Sequence, residues 1–306
     1  MRISTNTLFD GSSARLGGLQ SKLDRTMQQL GSDSKILTAA DDPVAASRAL
    51  EVGLSSASND QYARNRTQLR NSLGLIDDAM SGMSDALMGI NDQVMTAGNA
   101  ALSDGEFSSA VAQALQGQLD QLMSLANTSD GSGNYLFGGH QTASPPYVKD
   151  DASGAVSYQG DQGQQLLPLD GSRKMAMSEA GSVLFAKDQS GADIFSRLKD
   201  AIGALQPGQS AATRREKLTA LGASFTETFS SVTRSQASVG IRLNELDQAD
   251  TQGSDRKLQY AAINSSLKDL DYNQSLSDLA RQKLTLEAAQ KSFLQVSNLS
   301  LFNYLN

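Results

Sequence analysis

The 306-residue sequence contains no cysteine, no tryptophan and one histidine, His140. These absences exclude disulfide frameworks, thiolate zinc sites, cysteine nucleophiles and multi-histidine metal sites. No apolar run approaches the length of a membrane span. The opening segment MRISTNTLFDGSS lacks the apolar stretch of a cleaved Sec-type signal peptide, so any export is expected to take another route. Proline is scarce: Pro43, Pro145, Pro146, Pro168 and Pro207 are all there are. Residues 44–144 and 208–306 therefore hold none, as long helix interiors require.

Charge is unevenly placed. Lys and Arg total 26 and Asp and Glu 33, a net charge of −7. Residues 104–195 hold 11 acids and four bases (Lys149, Arg173, Lys174, Lys187), which leaves 22 of each sign elsewhere. Neutral arms around an acidic middle do not attract nucleic acid, which needs a basic stripe. Neutral arms do suit surfaces that pack against copies of themselves. The middle also carries the turn formers Asp130-Gly131-Ser132-Gly133, Ser153-Gly154, Gly160-Asp161, Asp170-Gly171 and Gly191. Between them lie strand-like pieces at Ala155–Tyr158, Gln165–Leu169 and Ser182–Phe185.

The arms read as long amphipathic helices. Leu69, Leu73, Ile76, Met80, Met83, Leu87, Ile90, Val94, Ala97 and Ala101 alternate spacings of four and three, the seam of a coiled coil. Asp42 before Pro43 supplies an N-cap followed by a tolerated first-turn proline. Gly53, Gly74, Gly82, Gly89 and Gly98 fall inside this helix, each costing roughly 1 kcal/mol against Ala, so tertiary packing must hold it. A shorter helix over about Phe107–Ala126 follows the turn Ser103-Asp104-Gly105. The second arm has its own seam: Leu218, Leu221, Phe225, Phe229, Val232, Gln236, Val239, Leu243 and Leu246. The expected fold is mainly α with a small β insert, a long antiparallel helical bundle built from both chain ends around a central β-rich domain.

The extremities differ from the bundle. Residues 12–30 carry Leu16, Leu19, Leu23, Met27 and Leu30, with Gly31 placed as the residue that ends the helix. At the other end Leu276, Leu279, Leu286, Phe293, Val296, Leu299, Leu301, Phe302, Tyr304 and Leu305 line a last helix. No ionisable side chain occurs from Ser292 to Asn306. Such a segment wants a partner, and the expectation is that the ends pair with each other and with neighbouring copies, ordering on assembly.

The chain resembles the bacterial flagellar hook-associated protein 3 family, the flagellin-like hook–filament junction proteins. The resemblance rests on MRISTNTLF, on Ser34–Leu50 with its Asp41-Asp42-Pro43 turn, and on Asp130–Gly139 with Thr142–Tyr147. Val239-Gly240-Ile241-Arg242-Leu243-Asn244 and the ending Leu299–Leu305 complete it. It implies a flagellin-like fold and a structural axial role, without enzymatic activity or cofactor. Partners would be further copies in a ring, the first hook-associated protein on the hook side, flagellin on the filament side and an export chaperone; neither nucleic acid nor membrane would be one. It also implies export through the flagellar type III apparatus to an extracellular flagellum. Residues 1–42 and 255–306 would form the inner terminal domain, 43–130 and 196–254 the bundle, and 131–195 a solvent-facing outer insert. Candidate assembly residues are Leu16, Leu19, Leu23, Met27 and Leu30 with Leu279, Leu286, Phe293, Val296, Leu299, Leu301, Phe302, Tyr304 and Leu305, and Gly31, Asp42 and Pro43 at the turn.

Two other readings are open at this stage. One is a flagellin filament subunit. The other is an enzyme or glycan-binding module in 131–195 whose Asp150, Asp151, Asp161 and Asp170 serve a cleft, which needs two carboxylates about 5–9 Å apart. No catalytic constellation is recognisable: Asp130-Gly131-Ser132-Gly133 lacks the third glycine of a dinucleotide loop, and His140 has no visible partner. Adjacent carboxylates such as Asp77-Asp78 do not converge on a helix.

Overall fold

The computed structural model describes the backbone of residues 2–100, 105–150, 152–188 and 190–305. It also describes their side chains, except at 2–6, 8, 99, 100, 105, 106 and 297–305. Ala101 of the first seam, Ser103-Asp104 of the following turn, and Asp151 lie outside the described residues. The chain forms two compact units, Met1–Ser58 with Asp255–Asn306, and Asn59–Ser254.

The larger unit is built on two long helices, α2 (Pro43–Ala100) and α6 (Ala211–Lys268), both of which run on into the smaller one. Within it lie α3 (Gly105–Ala126) and α5 (Ile194–Ala204). The α2 seam from Leu69 to Ile90 is wholly buried, as are Leu115, Leu119 and Leu122 of α3 and Leu221, Val232, Val239 and Leu246 of α6. Two glycines of α2 leave room for side chains of α3. A Cβ on Gly82 would stand 3.0 Å from Leu125, and one on Gly89 would stand 2.7 Å from the Gln118 amide. The glycines are seven apart on α2 and their occupants seven apart on α3, so the missing side chains make two notches along one antiparallel contact.

Short polar residues start the helices as capping chemistry requires. Asp42 Oδ1 accepts from the backbone N–H groups of Val44 (3.1 Å) and Ala45 (2.9 Å) at the head of α2. Asp193 caps Ser196 in α5, and Ser210 caps Thr213 in α6.

The insert contains two separate antiparallel pairs. β1 (Tyr147–Lys149) pairs with β2 (Val156–Tyr158), and β3 (Leu166–Pro168) with β4 (Lys174–Ala176). The third expected strand, Ser182–Phe185, is instead helical: α4 covers Gly181–Leu184. Leu184 and Phe185 are both buried, and a strand would have sent these neighbours to opposite faces. The turn brings Phe185 into a ring cluster with Tyr147 and Phe195, whose centroids lie 4.9–5.5 Å apart.

The insert is seated on the bundle by polar contacts as well as by this cluster. Arg66 of α2 is 4% exposed at its side chain; its Nε donates to Asp250 of α6 at 2.5 Å and its Nη1 to Leu169 O at 3.3 Å. Asn65 Nδ2 donates to Pro168 O, Arg173 pairs with Glu245, and Arg242 pairs with Glu179.

Candidate assembly surface

In the smaller unit α1 (Arg2–Ser32) lies antiparallel to α7 (Tyr272–Leu305). Leu16, Leu19, Leu23 and Leu30 of α1 are half-buried, as are Leu279, Leu286 and Phe293 of α7. Leu16 and Phe293 line one cavity of about 210 Å³ together with Ser12, Arg15, Ala289, Ser292 and Val296. Phe9 packs on Phe293 with ring centroids 5.0 Å apart, yet Phe9 stays 51% exposed. The seam joins the two ends of the chain and leaves much apolar surface uncovered. Leu276, Leu284, Leu294 and Val296 are all exposed. Leu299, Leu301, Phe302, Tyr304 and Leu305 fall where side chains lie outside the described residues.

The α1 side of the seam includes a polar residue. Met27 is 47% exposed, while Thr26 beside it is buried. The reason is spacing: Leu16, Leu19, Leu23, Thr26 and Leu30 keep the three–four rhythm, whereas Met27 breaks it. Thr26 Oγ1 donates to Gln282 Oε1 at 3.0 Å, with Lys22 O also in reach at 3.1 Å. The partner seam of α7 reads Leu279, Gln282, Leu286, Ala289 and Phe293, all half-buried. Neither Thr26 nor Gln282 is apolar, which hid them from a search for apolar ladders.

One expectation for α1 needs correction: Gly31 does not end the helix. It lies inside the helix, and Asp33 holds the left-handed conformation (φ 51°). The Ser34 N–H then donates to Gln29 O at 3.2 Å, the bond that spans a helix end with a left-handed residue at its corner. Aspartate tolerates that region better than most side chains.

Beyond the corner, residues 33–42 form a compact turn held to the end of α6. Ser34 and Asp269 make an antiparallel bridge, and the Lys35 N–H donates to Lys268 O at 2.8 Å. Lys35 Nζ reaches Ser266 O at 2.6 Å, and Gln29 Nε2 donates to Lys35 O. The Asp41 carboxylate closes the turn by accepting from Leu37 and Thr38 N–H and pairing with Arg25 at 2.5 Å. The Thr38 and Leu37 amides hold its carboxyl below the ordinary carboxylate range, and Arg25 adds to that. Asp42 and Pro43 follow directly as the head of α2.

Among the described residues the candidate carboxylates of the insert are engaged by backbone amides. Asp150 accepts from the Ser153 N–H, Asp161 from those of His140 and Gly163, and Asp170 from those of Ser172 and Arg173. Each carboxylate serves a turn, and Asp130 and Asp188 do the same. His140 is exposed. Among the described residues no group of three or more His, Asp or Glu is placed to hold a metal ion, and no helix is long and apolar enough to cross a membrane.

Paired terminal helices and a long-helix unit carrying a small β insert define a flagellin-like protein, and comparison with known proteins agrees. Residues 3–142 match the bacterial flagellin N-terminal helical region. Over 318 residues the chain is 31% identical to flagellar hook-associated protein 3 of Salmonella typhimurium, covering 99% of both chains. Over 319 residues it is 30% identical to flagellar hook-associated protein 3 of Escherichia coli, again covering 99% of both. The chain belongs to the flagellar hook-associated protein 3 family. Among solved structures, a flagellar hook-associated protein from Vibrio parahaemolyticus matches with a TM-score of 0.69 at 20% identity, covering 75% of this chain and 100% of the other. FlgL from Xanthomonas campestris matches with a TM-score of 0.63 at 19% identity, covering 70% and 99%.

Proposed function

We propose that the chain is a non-enzymatic axial subunit of the bacterial flagellum, the adaptor between hook and filament. The observation that carries this reading is end-to-end alignment with two hook-associated proteins 3, at 31% and 30% identity over 99% of the chain. The same alignments favour it over a flagellin filament subunit. The half-covered seam between α1 and α7 supports an assembly role for the terminal helices, because so much apolar surface on a paired element asks for neighbours.

On this reading residues 1–42 and 255–306 form the inner layer, packed against copies of the same chain in a ring. Residues 43–130 and 196–254 form the next layer, and the acidic insert 131–195 faces solvent. The first hook-associated protein lies on the hook side and flagellin on the filament side. The subunit reaches its extracellular position through the flagellar type III apparatus, aided by an export chaperone. The absence of cysteine supports passage as an unfolded chain, since no disulfide has to be avoided or made.

Deleting residues 292–306 tests the reading. The truncated protein should keep the helices of the Asn59–Ser254 unit by circular dichroism yet fail to join the hook tip. Filament growth on hooks supplied only with the truncated protein would overturn the role given to α7.

A further inference from the structure

The seams of α1 and α7 share a property that makes their alignment ambiguous. Leu16, Leu23 and Leu30 repeat every seven residues on α1, and Leu279, Leu286 and Phe293 repeat every seven on α7. Sliding one helix by seven residues, about 10.5 Å, again sets large apolar side chains against one another. Apolar burial is not directional, so it discriminates poorly between the two alignments. Something else must choose.

Only one of the two helices has the slack to slide. α7 is tied to α6 through three residues, 269–271, with Asp271 capping Gln274 at 3.0 Å. α1 is tied to α2 through ten residues, 33–42, which could span up to about 33–36 Å if drawn out. In the structure those ten residues are not drawn out. They are folded on the Asp41 carboxylate and fastened by Ser34 and Lys35 to residues 266–269 at the end of α6, the same end from which α7 departs. Inside the seam, Thr26 and Gln282 form a polar pair that a seven-residue slip would break, setting an unpaired amide or hydroxyl against apolar neighbours. A polar residue at a seam position is a known means of specifying register in coiled coils.

We propose that the 33–42 turn, fastened through Lys35 and Asp41, is a register lock that together with the Thr26–Gln282 pair fixes α1 on α7. The lock deepens the assembly reading and rests on it for its consequence: a subunit locked out of register would present a displaced apolar face to its neighbours. Its own test does not depend on that reading, because it is read on the isolated full-length chain.

The chain has no native thiol, so paired cysteines report register directly. Leu16→Cys with Phe293→Cys reports the observed alignment, in which the two residues line one cavity. Leu16→Cys with Leu286→Cys reports an alignment slipped by seven residues. In the otherwise unaltered chain, mild oxidation should close the first pair and leave the second open. With Lys35→Ala and Asp41→Ala added, the slipped pair should close at least about tenfold faster than before, since its rate follows the slipped population. Should the lock variant lose both cross-links by unfolding, the same comparison is made with Thr26→Leu and Gln282→Leu present, which strengthens the seam while leaving Lys35 and Asp41 as the variable. Equal closure of the two pairs in the unaltered chain overturns the proposal. So does exclusive closure of the first pair after the lock residues are removed in that strengthened background. A chain that keeps its register but never enters the hook tip would instead sink the assembly reading and leave the lock standing.

Discussion

A Cβ on Gly253 would stand 2.3 Å from Nη2 of Arg66, so α6 is glycine where the guanidinium of α2 needs its space. Asn59 Nδ2 donates to the carbonyl of the same glycine at 2.9 Å, and Arg66 continues to Asp250 and Leu169.

Gly253→Ala should therefore destabilise the protein. Helix propensity favours alanine by about 1 kcal/mol. Displacing Arg66 enough to lose one charge-assisted hydrogen bond costs about 1.5–3 kcal/mol, so the second effect wins by about 0.5–2 kcal/mol. Arg66→Met alone should cost about 2 kcal/mol. That is below the ~3–5 kcal/mol of a fully buried broken pair, because Asp250 is 34% exposed at its side chain and keeps Arg70. In the Arg66→Met background, Gly253→Ala should turn neutral or stabilising in urea unfolding. Additive losses would show that the glycine serves something other than the guanidinium.

The turn aspartates set an acid limit on the insert. Ser190 and Arg197 hold the Asp188 carboxyl well below its usual value, and for Asp170 the Ser172 and Arg173 donors outweigh a burial effect that pushes the other way. Asp130, Asp150 and Asp161 are lowered likewise by hydrogen bonds at their turns. A folded-state value below the unfolded one contributes stability that is full above about pH 4 and is lost as pH falls further. The near-ultraviolet tyrosine signal of Tyr147 and Tyr158 should stay flat from neutrality to about pH 4 and decline only below it. Asp188→Asn should weaken the insert at neutral pH and flatten its acid response. A decline between pH 5 and 7 would contradict this account.

Tyr147→Phe should be close to neutral or raise stability by up to about 1 kcal/mol, because removing a buried hydroxyl that lacks a partner relieves its desolvation. The Tyr147 hydroxyl is buried without a hydrogen bond, and burial pushes its pKa upward. Tyr158 differs: its hydroxyl lies 2.7 Å from Asp161 O and 3.0 Å from Phe137 O. Tyr158→Phe should cost about 1 kcal/mol. Thermal midpoints for the two variants should separate in that order.

Asp42→Ala removes the acceptor for two backbone N–H groups at the head of α2 and should cost about 1 kcal/mol. Asp42→Asn or Asp42→Ser should restore most of it in chemical denaturation. Failure of both to do so would assign the residue a role other than capping.

The long helices were legible because one signal repeats over many residues: the Leu69–Ala97 seam needs only its spacing to declare a buried face. The flagellin-like fold was legible from the same ladders and from the motifs around Asp42 and Arg242. Short elements were not. Ser182–Phe185 looks like a strand by composition, and only its packing between Tyr147 and Phe195 makes it helical. The terminal seam was half legible: its leucines stood out, while Thr26 and Gln282 are polar and announce themselves only once the two helices are side by side. The turn lysine and aspartate, Lys35 and Asp41, act on backbone atoms contributed in part from more than 200 residues away. No local pattern encodes that.

Asp130, Asp150, Asp170 and Asp188 each close a bend with amides no more than four positions further along. Corners written this locally require no distant strand to be in place before they form. A polypeptide pulled straight as a thread can regain every one of these bends from a few neighbouring residues, before any long-range partner is in place.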